Sequence, residues 1–187
     1  MSGMTAFGQN RVATVDLHKV FDNYWKRQTA EAGLKEHAAD MEKQNKELVD
    51  NWQSLRDDYE KLNASATDPA VSADERDKRK KAADAKLLEI KEAEQTIDSF
   101  RRQADATLDE QKRRMRDKIL DEIKTVVNAK AKAGGYTMVV DSAAESVNGT
   151  PVYLYTNGEN DITDDVLKQL NSTAPMPDAT TPAPATP

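Results

Sequence analysis

Histidine and cysteine, the side chains that most often bind metals or act in catalysis, form no recognisable site in this chain. His18 and His37 lie 19 residues apart, and no further ligand follows either one at the spacing of a zinc site. We interpret both as solvated or packed residues. The chain has no cysteine, which excludes disulfides, thiol catalysis and cysteine-ligated zinc. The sequence therefore predicts no catalytic residue and no bound metal.

An acidic segment near the end of the chain is the candidate for calcium binding. Residues 157–165 read Asn-Gly-Glu-Asn-Asp-Ile-Thr-Asp-Asp, but they lack the calcium-loop spacing with glycine at its sixth position. We interpret them as a turn followed by a helix, with Thr163 as the N-cap. Gly134 and Gly135 are typical of the end of a helix, and no phosphate-binding loop is present. We predict no cofactor and no enzymatic activity.

Helical periodicity dominates the first half of the chain. Apolar residues repeat every seven positions at Leu34, Met41, Leu48, Leu55 and Leu62. A second series with the same spacing lies between them, at Ala38, Asn45, Trp52 and Tyr59. This pattern is typical of a helix that packs along another helix. Pro69 breaks it, and residues 72–75 (Ser-Ala-Asp-Glu) form a capping box that starts a second helix. We predict a helical hairpin arm over residues 19–133, with its tip near 63–72.

The second helix has its own apolar positions, and short β-type segments flank the pair. The apolar positions are Leu87, Ile90, Ile97, Ala104, Leu108, Met115, Ile119, Ile123 and Val126. Strands are predicted at residues 12–16, 136–141 and 151–155. A short helix follows at residues 161–170. The fold class is therefore α+β, a long antiparallel helical hairpin (a coiled-coil arm) that projects from a small β-containing base at residues 11–18 and 134–171.

This base has fewer than fifty residues, which is marginal for an independent core. Oligomerisation is the simplest way to cover its apolar surface. The residues that we assign to the oligomer base are Val12, Val15, Phe21, Tyr24, Trp25, Val139 and Tyr153. Residues 1–10 are predicted to be a disordered leader, and residues 172–187, rich in proline, alanine and threonine, a disordered tail.

Composition limits the partners. Charged residues make up 32% of the chain and aromatic residues 5%, with a net charge of −6; long solvated helices fit this composition better than a compact globule. The negative charge disfavours nucleic acid as a partner. No apolar run approaches the ~20 residues that span a membrane, so we predict at most peripheral membrane contact. No signal peptide is visible at the start of the sequence.

Four segments of the chain resemble the Skp/OmpH family of periplasmic chaperones. Residues 12–21 resemble its opening strand and helix, residues 72–76 the start of its second arm, residues 135–141 its glycine-tyrosine strand, and residues 161–171 its closing helix. The resemblance implies a homotrimer whose β segments assemble a central body. It also implies three arms around a cavity that holds unfolded outer-membrane proteins without ATP. The best-known members are strongly basic, whereas this chain is acidic, so a lipopolysaccharide site is not carried over.

Client contacts are predicted mainly off the heptad stripe, because the stripe is needed for packing within the hairpin. The candidate apolar contacts are Val49, Trp52, Tyr59, Leu88 and Phe100, and the candidate basic contacts are Lys78, Arg79, Lys80 and Lys81. The leading hypothesis is a periplasmic, ATP-independent holdase. One alternative is a structural or adaptor coiled-coil protein that tethers folded partners through the hairpin tips. Another is an enzyme whose hairpin is only an arm, which the small remainder of the chain disfavours.

Overall fold

A computed structural model of the protein describes residues 11–175, and 72% of these described residues are helical. Its elements are β1 (Val12–Val15), α1 (Leu17–Asn23), α2 (Trp25–Ala66), α3 (Ala73–Ala133), β2 (Met138–Asp141) and α4 (Thr163–Asn171). The predicted α+β class, a hairpin of two long helices with a small β-containing base, is confirmed. The predicted disordered leader at residues 1–10 lies outside the described residues, as do residues 176–187 of the predicted tail.

The chain divides into two compact units. One, here called the sheet unit, comprises residues 11–32 and 113–175 of the described chain, and the other, the hairpin unit, comprises Gly33–Lys112. The sheet unit contains both strands, α1, α4 and the adjoining ends of the long helices. The hairpin unit contains the remainder of α2 and α3 with the connection at residues 67–72.

In the sheet unit, β1 is paired on both sides. It runs parallel to β2, in a register from Val12 opposite Met138 to Val15 opposite Asp141. On its other side the Thr14 amide donates to the Asn160 carbonyl at 3.1 Å, and the Thr14 carbonyl accepts from the Ile162 amide at 2.9 Å. Three segments distant in sequence therefore meet at β1, which explains why a four-residue strand is stable in this position.

The buried core of the sheet unit takes one or two side chains from each of β1, α1, α3 and α4, together with Tyr24 and Ile162. Its buried members are Ala13, Val15, Val20, Tyr24, Ile119, Ile123, Ile162, Val166 and Leu170. Ala13 and Val15 alternate along β1 as the strand period requires, and Val166 and Leu170 lie four residues apart on one face of α4. A single core thus holds α1, α3 and α4 against the sheet.

The strand predicted at residues 151–155 is wrong. Glu145 and Pro151 form an isolated antiparallel bridge, and the Val152 amide donates to the Ala144 carbonyl at 2.8 Å. Beyond that point the described chain offers residues 153–155 no ladder partner, and their side chains are exposed. A β-strand needs a neighbouring strand to pair its amides and carbonyls, and sequence propensity alone does not supply one.

The ends of α3 follow the local chemistry. The Ser72 hydroxyl accepts from the Glu75 amide at 3.4 Å, whereas the Glu75 carboxylate lies 3.2 Å from Arg79 Nε. At the other end, Gly135 has a φ of 65°. The Tyr136 amide donates to the Ala131 carbonyl at 3.0 Å, and the Gly135 amide to the Lys132 carbonyl at 3.2 Å. This is a Schellman motif, which confirms that Gly134-Gly135 ends the helix.

The predicted N-cap role of Thr163 is wrong. Thr163 is the first residue of α4, and its amide donates to the Asp161 carboxylate at 2.9 Å. The buried Thr163 hydroxyl accepts instead from the amide of Asp16 at 2.9 Å. A contact with the turn after β1 therefore takes the oxygen that a local cap would have used.

The predicted start of the first helix near Lys19 also needs correction. The Asp16 carboxylate accepts from the Lys19 amide at 2.7 Å, so that α1 begins at Leu17. Tyr24 then interrupts the helical path with an extended backbone, at φ −77° and ψ 121°, and α2 begins at Trp25. No proline or glycine occurs in residues 17–32, so the interruption has a tertiary cause.

In the hairpin unit, α2 and α3 run antiparallel. Polar side chains join them at His37 with Gln111 (Nδ1 to Oε1, 3.3 Å), Asn45 with Arg101 (3.0 Å) and Trp52 with Glu94 (3.1 Å). The heptad residues of α2 are half-buried, and Ala83, Ile90 and Ile97 of α3 are buried. The position predicted for Leu87 in the apolar stripe is wrong, because 46% of its surface is exposed.

Candidate binding surfaces

Trp52 is held within the hairpin unit by two polar neighbours. Its Nε1 donates to the Glu94 carboxylate at 3.1 Å, and the guanidinium carbon of Arg56 lies 5.0 Å from its ring centroid. The indole therefore uses its polar atom and one ring face inside the chain. What remains for a partner is the half-exposed edge beside Val49, in a shallow depression that Ile97 also lines.

The other predicted apolar contacts of the hairpin unit differ in accessibility. Phe100 is half-buried and lines two shallow depressions next to Met41 and Ala104. Tyr59 is half-buried, whereas Leu88 is 65% exposed. Leu88 is therefore the most accessible of the five predicted apolar client contacts.

Leu87 and Leu88 form an exposed leucine pair that sequence reasoning only half recognised. Consecutive residues on a helix point about 100° apart, so both cannot face the partner helix. Ile90, three residues beyond Leu87, is buried, whereas Leu87 and Leu88 are 46% and 65% exposed. The signal was present in the sequence as two adjacent leucines in an otherwise seven-residue repeat.

The basic residues Lys78, Arg79, Lys80 and Lys81 lie in the second and third turns of α3. Arg79 pairs with Glu75 and is half-buried, whereas the three lysines are exposed. The nearby acids Asp74, Asp77 and Asp84 are also exposed. This surface therefore carries mixed charge, with local rather than extended positive potential.

The sheet unit exposes a second apolar surface, here called the 152–155 segment (Val-Tyr-Leu-Tyr). Leu154 is 90% exposed and Tyr155 85%, with Val152 and Tyr153 less so. Val12 and Met138, paired in the parallel sheet, are exposed as well. Contiguous apolar surface of this kind marks interaction sites in soluble proteins. Sequence reasoning selected Tyr153 and Val12, but not Leu154, Tyr155 or Met138.

The residues assigned to the oligomer base occupy three kinds of environment. Val12 and Tyr153 are exposed; Val15 and Tyr24 lie in the chain's own core. Phe21, Trp25 and Val139 are partly buried and pack against that core. The roles of these seven residues in assembly stay a prediction.

A polar network pins the start of α2 to α3 within the sheet unit. The Tyr24 hydroxyl donates to Glu122 at 2.5 Å, and Lys26 Nζ donates to the same oxygen at 2.8 Å. These hydrogen bonds, with that from Lys26 the stronger influence, lower the pKa of Glu122. Burial, followed by the bond to Glu122, raises the pKa of Tyr24. The network therefore favours an ionised Glu122 and a neutral Tyr24.

The described residues contain no group of three or more histidine, aspartate or glutamate side chains placed to hold a metal ion. Over the same residues, 11–175, no helix combines the length and apolar character needed to cross a membrane. His18 and His37 are exposed and belong to different units. The exposed leucine pair and the 152–155 segment are candidate contact surfaces for other proteins.

Comparison with protein families identifies the chain. The family model described as "Outer membrane protein (OmpH-like)" matches residues 11–170. The chain belongs to the OmpH-like family, a family of periplasmic chaperones, and this membership supports a chaperone role. A search of curated proteins finds no match.

Proposed function

We propose that this protein is an ATP-independent holdase of the periplasm that binds unfolded outer-membrane or other exported proteins and prevents their aggregation. The observation that carries the proposal is family membership over residues 11–170. The two exposed apolar surfaces support it, because each consists of adjacent apolar side chains rather than a single exposed one. The protein works as a homotrimer, with residues 11–18 and 134–171 as its oligomerisation base and residues 19–133 as its arm.

Assembly is supported by the 152–155 segment. Its four apolar side chains are exposed in the single chain, and beyond Val152 its backbone has no neighbouring strand among the described residues. Strands of other copies supply such a partner, and burial of each large apolar side chain contributes about 1.5–3 kcal/mol. Val12 and Met138, which are paired in the parallel sheet and exposed, are assigned to assembly as well.

Client binding is assigned to the hairpin unit and rests on weak, distributed contacts. Leu88 with its neighbour Leu87 offers accessible apolar area, and Phe100, Val49 and the Trp52 edge offer less. Burial of apolar surface yields ~25 cal/mol per Å², so several small contacts together hold an unfolded chain and still release it. The client then sits in a cavity between the arms of the trimer.

The test is suppression of aggregation without nucleotide. A urea-unfolded outer-membrane β-barrel protein is diluted into buffer with or without a threefold molar excess of this protein, and turbidity is followed. The expected result is a clear solution in the absence of ATP. A folded, monomeric form of the same barrel in detergent serves as the control, and it should not bind. If turbidity develops as in buffer while the folded control binds, the protein is an adaptor for folded partners.

A further inference from the structure

The interruption between α1 and α2 is bridged by a side chain from the far end of the chain. Asn171, the last residue of α4, accepts a hydrogen bond from the Trp25 amide at 3.1 Å through its Oδ1. Its Nδ2 donates to the Asn23 carbonyl at 3.0 Å. One carboxamide thus contacts both helix ends at the interruption, and all three residues belong to the sheet unit.

These two bonds take the place of two that an uninterrupted helix would make. In a continuous helix the Trp25 amide would donate to Phe21, and the Asn23 carbonyl would accept from Arg27. In the structure, the Arg27 amide donates instead to Tyr24, at 3.0 Å. Trp25 and Asn23 would therefore each lack a backbone partner, and Asn171 supplies an acceptor for the first and a donor for the second.

The local sequence does not favour the interruption. Residues 17–32 contain no proline or glycine, and most of them have ordinary or good helix propensity. Two groups from elsewhere act on it, since Asn171 bridges the interruption and Glu122 binds the buried Tyr24 hydroxyl. Without these two contacts, the helix propensity of residues 17–32 favours an uninterrupted helix.

We infer that Asn171 is a positioning residue whose carboxamide holds the α1–α2 junction in its interrupted form, so that docking of α4 determines whether residues 17–32 form two helices or one. α4 is seated by Val166 and Leu170 in the core, and Asn171 follows directly. When α4 is docked, the bridge sets the first residue of α2. When it is released, residues 17–32 form a continuous helix. This inference goes beyond the holdase proposal and does not depend on it.

The experiment measures the backbone state of Tyr24 in the full chain. Tyrosine labelled with ¹³C at Cα reports helix or extended backbone through its chemical shift, and the Tyr24 signal is assigned by its loss in Tyr24→Phe. In Asn171→Ala we expect this signal to move downfield, toward the helical range. Gln169→Ala, which removes an exposed carboxamide from the same turn of α4, should leave it unchanged. A folded Asn171→Ala chain that keeps the extended shift overturns the inference.

Asn171→Asp provides a second, reversible test. An ionised aspartate accepts from the Trp25 amide but cannot donate to the Asn23 carbonyl, whereas a protonated one can do both. The Tyr24 signal should therefore be shifted toward the helical range at neutral pH and return toward the extended range on acidification. The wild-type signal over the same pH range is the reference, because Glu122 also binds Tyr24 and titrates on acidification; the change in Asn171→Asp should exceed it. A shift in Asn171→Asp that does not respond to pH contradicts a role for the carboxamide and leaves Glu122 as the group that holds the junction.

Discussion

Replacement of Leu154 by serine tests the proposed assembly most directly. Leu154 is 90% exposed in the single chain, so its loss should not destabilise the monomer. In a homotrimer that covers the 152–155 segment, each buried leucine contributes about 1.5–3 kcal/mol, and three copies are lost together. For a monomer–trimer equilibrium the midpoint concentration varies as the square root of the dissociation constant. The substitution should therefore raise that midpoint roughly 50- to 2000-fold.

Sedimentation equilibrium across a range of concentrations measures this midpoint. The wild-type chain should sediment at about three times 20.8 kDa at micromolar concentration, and Leu154→Ser should shift toward the monomer. Leu88→Ser is the matched control, because it removes an exposed leucine from the hairpin unit. It should leave assembly unchanged and weaken client binding instead. An unchanged midpoint in Leu154→Ser, or a wild-type monomer at micromolar concentration, would refute the reasoning.

Three further outcomes are expected. Client affinity, measured by fluorescence anisotropy, should fall only modestly from low to moderate salt. Leu88→Ser combined with Phe100→Ser should weaken this affinity more than neutralisation of Lys78–Lys81. A loss of most of the affinity at moderate salt would contradict this. Because the pKa of Glu122 is lowered from 4.5, its pairing should stabilise the fold above that pH and lose effect as pH falls through the folded pKa. Urea unfolding should therefore show a cost of Glu122→Gln at neutral pH that shrinks below pH 4.5, and a pH-independent cost would disprove the ionic role. Gly135→Ala should destabilise the protein by about 1 kcal/mol because Gly135 has a positive φ. Gly33→Ala, in open space within α2, should stabilise it by about 0.5–1 kcal/mol. A stabilising Gly135→Ala with a destabilising Gly33→Ala in urea unfolding would contradict both predictions.

The local elements of the long helices could be predicted because their causes are local. The hydroxyl of Ser72 lies within reach of the Glu75 amide, and a glycine at position 135 adopts the left-handed backbone that ends α3. The heptad repeat likewise needs only its own spacing to indicate a helical partner. Leu87 is the exception, because the sequence places it among the apolar packing positions whereas 46% of its surface is exposed.

The candidate surfaces were only partly predictable for a related reason. Leu88 was selected as a client contact outside the heptad packing and Tyr153 as a residue of the oligomer base, and both are exposed. Trp52 was also selected as a client contact, but Glu94 and Arg56 occupy part of its surface. Whether an apolar side chain is free depends on neighbours that are distant in sequence, and one sequence does not specify them.

The sequence by itself determined the class of this protein: two long antiparallel helices, a capped start and a glycine end for α3, and a small β-containing base. Tertiary structure decided the rest within that base. The Thr163 hydroxyl accepts from the Asp16 amide, residues 153–155 have no strand beside them within residues 11–175, and Asn171 bridges the interruption at Tyr24. The physical reason is that buried backbone amides and carbonyls must be paired, and in a base of this size their partners come from segments more than 100 residues away.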